Sequence, residues 1–152
     1  MAKTCEKPEM DFVSEALNSL NDGYKRYVVA HENKTFSEFI KEFMRREKCD
    51  SAEKFCVITR LNENIFSCLK RKEYRPTKRV IVAICVGLKL DYAEALELLK
   101  LAGYALVLYD KVDYAYHYIL QKCNELDIDL CNELLEACGI DRKYQLGSIE
   151  RE

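Results

Sequence analysis

Three times in this chain a capping side chain is followed three residues later by glutamate: Thr35-Phe36-Ser37-Glu38, Asp50-Ser51-Ala52-Glu53 and Asp91-Tyr92-Ala93-Glu94. In such a box the first side chain accepts a hydrogen bond from the backbone N–H of the fourth residue, and the glutamate reaches back to the N–H of the first. Each box starts a helix and is incompatible with an extended strand at that point. Breakers are scarce, with 5 glycines and 2 prolines in 152 residues, which favours helices over turn-rich sheets. The expected fold is all-α: a single compact unit of about seven short helices.

Between the boxes, apolar spacing places the remaining helices. Phe12, Ala16, Leu17 and Leu20 predict a first helix over 11–20, behind a loose polar tail at 1–9. Asn21-Asp22-Gly23 is its expected stop, and 24–31 fits a short helix without requiring one. Behind Thr35, the stripe Phe36, Phe39, Ile40 and Phe43 faces inward. The box at Asp50 opens a short helix with Phe55, Cys56 and Ile58 inward. After a break at Arg60-Leu61-Asn62, Asn62 caps a helix from Glu63 to about Arg71, with Ile65, Phe66 and Leu69 apolar. Pro76 ends that region and Thr77 caps the next helix.

Val80 to Leu88 is almost uniformly apolar, a pattern that suits a buried strand as well as a helix. Its flanks, Thr77 before and Lys89-Leu90-Asp91 after, select the helix. A helix over 92–102 should end at Gly103. Two more are expected: Asp110 to Asn124, with Val112, Ala115, Tyr116, Ile119 and Leu120 inward, and Asp129 to Cys138, with Leu130, Leu134 and Leu135 inward and Gly139 as cap. The tail from Asp141 to Glu152 is polar, and its end should fray. The chain thus divides into a tail and helix (1–34), a central helical region (35–104) and a C-terminal helical extension (105–152), packed as one unit.

Charge is uneven along the chain. The formal net charge is −2, so no overall basic signature exists. Yet the segment from Arg60 to Arg79 carries Arg60, Lys70, Arg71, Lys72, Arg75, Lys78 and Arg79 against only Glu63 and Glu73, a net charge of +5. Such a run suits phosphate neutralisation. It also suits solvated helix ends, where Lys and Arg are common. Its span across one helix exit and the next helix entry favours phosphate.

Two short helices with a tight break at 60–62 form a helix-turn-helix layout, whose second helix enters the DNA major groove in known examples. Several residues at and around this break resemble the Xre or lambda-repressor-like regulators. Phe55-Cys56 stand for the usual Leu-Ala of the first helix, and Leu61-Asn62 for the usual Leu-Ser. Phe66, Ser67 and Leu69 match the second helix, Arg75-Pro76-Thr77 its exit, and Val86-Gly87-Leu88-Lys89-Leu90 the following Ala-Leu-Gly-Leu stretch. The run from Glu94 to Tyr104 resembles the fifth helix of a bacterial subgroup. Asp113-Tyr114-Ala115 and Asn132-Glu133-Leu134-Leu135 fit its later helices. The resemblance covers roughly residues 35–140 and departs at Arg60 and Lys72, where the family carries Gly, and at Ala52, where it often carries Gln. A side chain at a left-handed position costs about 1 kcal/mol, so differently shaped turns are expected there.

The resemblance implies a sequence-specific, double-stranded DNA-binding transcriptional regulator, bacterial or phage-borne, acting as a homodimer. Glu63, Asn64, Ser67 and Cys68 would face the bases, with Asn64 suited to adenine and Glu63 to the cytosine amino group. Glu63 has an equal claim as a dipole-stabilising carboxylate in a first helical turn. Arg60, Lys70, Arg71, Lys72, Arg75, Lys78 and Arg79 would bind phosphates, and the helices after Gly103 would form the dimer interface. The alternative is an adaptor of the same fold that binds a protein, such as a toxin or kinase; Glu63, the acidic balance and the two replaced glycines motivate it.

Other chemistries find little support. The 8 cysteines form no C-x-x-C pair and 2 histidines are present, so zinc is not expected. Free thiols packed as small apolar residues are, with redox sensing left open. His117 has Cys123 and Asp113 within helical reach, but no loop context supports a catalytic pairing. The phosphate-cradling glycine loop is missing, and no enzyme, metal or cofactor is expected. Tyr104, Tyr109, Tyr114, Tyr116 and Tyr118 suit core packing or a dimer surface better than base stacking. With polar residues at 1–10, no cleavage signal and no long apolar run, a cytoplasmic location away from membranes is expected.

Overall fold

The computed structural model describes residues 3–30, 35–71 and 73–147. Among them are eight α-helices, one 3₁₀ turn and no strand. In chain order they are α1 (Lys3–Ala30), α2 (Phe36–Arg46), α3 (Ala52–Thr59), α4 (Glu63–Cys68), α5 (Lys78–Gly87), α6 (Tyr92–Leu101), α7 (Lys111–Gln121), α8 (Ile128–Ala137) and the 3₁₀ turn Arg142–Tyr144. None of these helices is long and apolar enough to cross a membrane. The chain divides into two compact units, Met1–Lys34 and Thr35–Glu152.

The first unit is the single helix α1. It runs through Gly23 without a break and includes residues 3–9, so the expected stop and loose tail do not form. A Cβ at Gly23 would meet nothing within 4 Å. Gly23 acts as an ordinary interior glycine, costing about 1 kcal/mol against alanine.

In the second unit, side chains start every α-helix. Thr35 accepts from Glu38 N–H at 3.3 Å, Asn62 from Ile65 N–H at 3.0 Å, and Thr77 from Val80 N–H at 3.4 Å. Asp110 and Asp127 do the same for α7 and α8, at 3.0 and 2.8 Å. Only the box at Asp91 is fully reciprocal: Asp91 accepts from Glu94 N–H at 2.8 Å, and Glu94 from Asp91 N–H at 3.0 Å. At α3 the cap is Ser51, accepting from Lys54 N–H at 3.2 Å, and not Asp50, which pairs with Lys54 Nζ at 3.0 Å.

The central helix is α5. Ile81 through Val86 and Leu88 are all fully buried, and α5 packs against α3, α6, α7 and α8. The helical reading of the apolar run is therefore correct. It looks continuous because neighbours surround it on all sides. Gly87 permits a close approach of α3. A Cβ there would lie 2.7 Å from Thr59 Cγ2 and 2.8 Å from the Ile58 carbonyl oxygen. Gly87→Ala should therefore push α3 off α5 and cost about 1–3 kcal/mol, despite the better helix propensity of alanine. A urea midpoint checks this, and an unchanged or higher midpoint would refute the contact.

Glu94 also joins α6 to α2, accepting from Arg46 at 2.6 and 3.2 Å. The Arg46 guanidinium holds the Glu94 carboxyl below its ordinary range. A depressed folded pKa stabilises above the unfolded value, about 4.3, and that contribution is lost as pH falls through the lowered value. Glu94→Gln should therefore flatten the fall in urea midpoint on acidification below about pH 4.

One C-terminal expectation needs correction. α8 begins at Ile128, and Ile128, Cys131 and Leu135, spaced i, i+3, i+7, are its buried residues while Leu130 is exposed. Residues 141–147 are held by hydrogen bonds to α7 and α8. The Asn132 amide brackets Leu146, donating to its carbonyl at 3.0 Å and accepting from its N–H at 2.7 Å. Tyr116 donates its hydroxyl to the Tyr144 carbonyl at 2.6 Å. Residues 148–152, where the tail was expected to fray, lie outside those described.

Candidate nucleic-acid interface

The basic segment begins where α3 ends. Thr59 is fully buried; its hydroxyl donates to the Phe55 carbonyl at 2.7 Å and accepts from Leu61 N–H at 3.2 Å. That bond turns the chain out of α3. Arg60 follows in the left-handed region, at φ 59° and ψ 22°. Arginine here adopts the handedness that glycine favours. The second position, Lys72, lies outside the described residues.

Neighbours hold Arg60 in this conformation. Its guanidinium meets Asp129 at 3.1 Å. Gly147, at φ +97°, sits so close that a Cβ on it would lie 2.9 Å from Arg60 Cβ. The exposed ion pair contributes little by itself, but the two contacts tie α8 and the C-terminal segment to the turn.

Past Asn62, α4 has two different faces. Phe66 and Leu69 are buried and Ile65 is partly so. The Phe66 ring lies 5.2 Å from the fully buried Phe55 ring of α3. Glu63, Asn64 and Ser67 are exposed, and Cys68 is half-buried. Three of the four residues expected to face bases thus share an open surface, with Cys68 partly withdrawn.

The cations divide in the same way. Lys70, Arg71 and Arg75 are exposed, with the Lys70 ammonium 4.7 Å from the Phe66 ring centre. Lys78 is consumed inside the fold: its Nζ donates to Asp113 Oδ1 and Oδ2 at 3.0 and 2.9 Å and to the Ala105 carbonyl at 2.9 Å. Arg79 turns to the C-terminal segment, donating to the Gln145 carbonyl at 3.2 Å and to the Gly147 carbonyl. Arg60 is paired as described, and Lys72 is outside the described residues. No family model, curated protein or solved structure matches this chain.

The other sequence candidates have structural partners. His117 Nδ1 lies 2.8 Å from the Tyr92 hydroxyl, not against Cys123 or Asp113. Burial pushes the Cys123 thiol up to about 11 and that of Cys131 to about 12, which keeps both protonated and unreactive. No disulfide joins the described cysteines, and no metal-binding cluster exists among the described residues. Tyr116 is core and Tyr104 donates to the Pro76 carbonyl at 3.0 Å, whereas Tyr109, Tyr114 and Tyr118 are exposed. Tyr114, Tyr118, Leu134 and Cys138 line an apolar groove of about 480 Å³ beside Lys111.

Sequence reasoning gave Thr59 no role, and named Asp113 and Asn132 only within the resemblance and, for Asp113, beside His117, without their organising contacts. Asp113 and Asn132 act across 35 and 14 residues of chain, so no local pattern gives their partners. The polar Thr59 at an inward position of an apolar helix was the one available signal.

Proposed function

We propose that this chain is a sequence-specific double-stranded DNA-binding regulator with a lambda-repressor-like helix-turn-helix formed by α3 and α4. The observation that carries this reading is the exposed face of α4, with Glu63, Asn64 and Ser67 outward and Lys70, Arg71 and Arg75 exposed just beyond. Asn64 pairs with adenine, Glu63 accepts from cytosine, and Ser67 is permissive. Of the phosphate set, Lys70, Arg71 and Arg75 carry the proposal, because Lys78 and Arg79 are bonded within the fold, Arg60 pairs with Asp129 at the surface, and Lys72 lies outside the described residues. One such module reads few bases, so two copies on a two-fold site complete the reading. The site of action is cytoplasmic.

A selection from random duplex DNA, followed by anisotropy titration across salt, tests the proposal. Wild type should enrich a two-fold motif. In Lys70→Ala/Arg71→Ala/Arg75→Ala the log–log salt slope should fall by about 3, roughly one per lost phosphate contact. The inward turn of Lys78 and Arg79 favours the adaptor reading. No enriched motif, with weak binding indifferent to the triple variant, would replace the DNA reading with that one.

A further inference from the structure

We propose that α1 is a self-association element, pairing antiparallel with α1 of a second copy of this chain. α1 is a 28-residue helix, about 42 Å long at roughly 1.5 Å per residue. Its side chains Val13, Leu17, Leu20 and Tyr24 are all exposed. They recur at alternating steps of four and three residues, the period of a helix–helix seam. An isolated helix in water is marginal, and helical stability in proteins comes mainly from packing an apolar face. This face therefore calls for a cover.

The residues around the seam say what the cover is. Flanking positions hold Ser14, Ala16, Asn21 and Gly23, none charged. Every charged residue from 11 to 26, namely Asp11, Glu15, Asp22, Lys25 and Arg26, falls on the other side of the helix. A second copy meets no like charge at this seam, and no charge marks it for a foreign partner. The apolar groove beside Lys111 is a weaker candidate for self-pairing, since the adjoining α8 exposes Asp129, Glu133 and Glu136.

Side-chain size fixes the direction. In an antiparallel two-fold pair, residue i meets j and j meets i. The seam then places Tyr24 against Val13 of the partner copy and Leu17 against its Leu20, large against small and equal against equal. A parallel pair would instead stack Tyr24 on Tyr24 and leave Val13 on Val13. Antiparallel helices also oppose their dipoles favourably. The inference stands apart from DNA binding and relocates the dimer surface expected after Gly103 to the N-terminal helix.

Sedimentation equilibrium of the full chain tests it, with no DNA present. Wild type should be dimeric, and Leu17→Glu/Leu20→Glu should weaken association on the order of 100-fold by burying unpaired charge. Val13→Glu and Tyr24→Lys should each weaken self-association, and mixing the two should restore it, because only the antiparallel pair sets residue 13 against residue 24. That rescue also shows that both variants fold. A monomeric wild type, or a dimer indifferent to Leu17→Glu/Leu20→Glu, would overturn the proposal. Absence of rescue on mixing would overturn the antiparallel arrangement.

Discussion

Asp113→Ala should destabilise the protein by about 3 kcal/mol, a large effect for a residue with no expected role of its own. The Asp113 side chain is 10% exposed and that of Lys78 is 24% exposed. Asp113 accepts two bonds from Lys78 Nζ and one from Val107 N–H at 2.8 Å. Lys78 is the first residue of α5, where the helix dipole opposes a cation; Asp113 lies in the first turn of α7, where the dipole favours an anion. Alanine at 113 leaves a half-buried ammonium at the wrong end of a helix and an N–H without its acceptor. The measurement is a urea midpoint at constant m-value. Because the loss comes from the orphaned partner, Lys78→Met/Asp113→Leu should cost less than the two single changes added together. A loss below about 1 kcal/mol for Asp113→Ala would mean that the pair behaves like a surface bridge.

The fold was legible wherever a local rule decided the outcome. Asn62, Thr77 and Asp91 cap the helices expected of them because an N-cap depends only on the next three residues. Gly103 and Gly139 adopt positive φ at the expected helix ends. Local rules failed where two signals competed. Asp50 and Ser51 both offer a cap, and the Asp50 carboxylate goes to Lys54 instead. Asn21-Asp22-Gly23 carries stop residues, but glycine in a helix interior is merely costly, and α1 continues. At α8 the larger side chain misled: Cys131, at i+3 from Ile128 and i−4 from Leu135, shares their buried face, and Leu130 lies off it and is exposed.

The candidate site was legible at its helix and less so at its charges. Amphipathic spacing places Ile65, Phe66 and Leu69 inward, and hence Glu63, Asn64 and Ser67 outward. Net charge along a segment, however, does not reveal which cations have partners. Lys78 and Arg79 belong to the same basic run as Arg71 and Arg75, yet their acceptors lie at Asp113, Gln145 and Gly147. A segment sum counts them as available, whereas long-range contacts remove them. The exposed cations beside α4 are accordingly fewer than the sequence suggests.

Phe55→Ala should be at least as damaging as Asp113→Ala, at about 3–5 kcal/mol, and its effect should extend to α4. Phe55 is fully buried and packs its ring on Phe66, so it joins α3 to α4. Thr59, one turn later, bonds the Phe55 carbonyl and sets the exit into Arg60. Removing the ring leaves a cavity under a helix of six residues. A helix so short cannot hold its own shape without tertiary packing. Phe55→Leu keeps most of the volume and should cost less. Under conditions where both variants remain folded, duplex affinity should fall more in Phe55→Ala than in Phe55→Leu, while the salt slope stays at the wild-type value because Lys70, Arg71 and Arg75 are untouched. A changed slope would mean that α4 and its basic exit move as one body. An unchanged affinity in a destabilised Phe55→Ala would count against the proposed role of α4 in reading DNA.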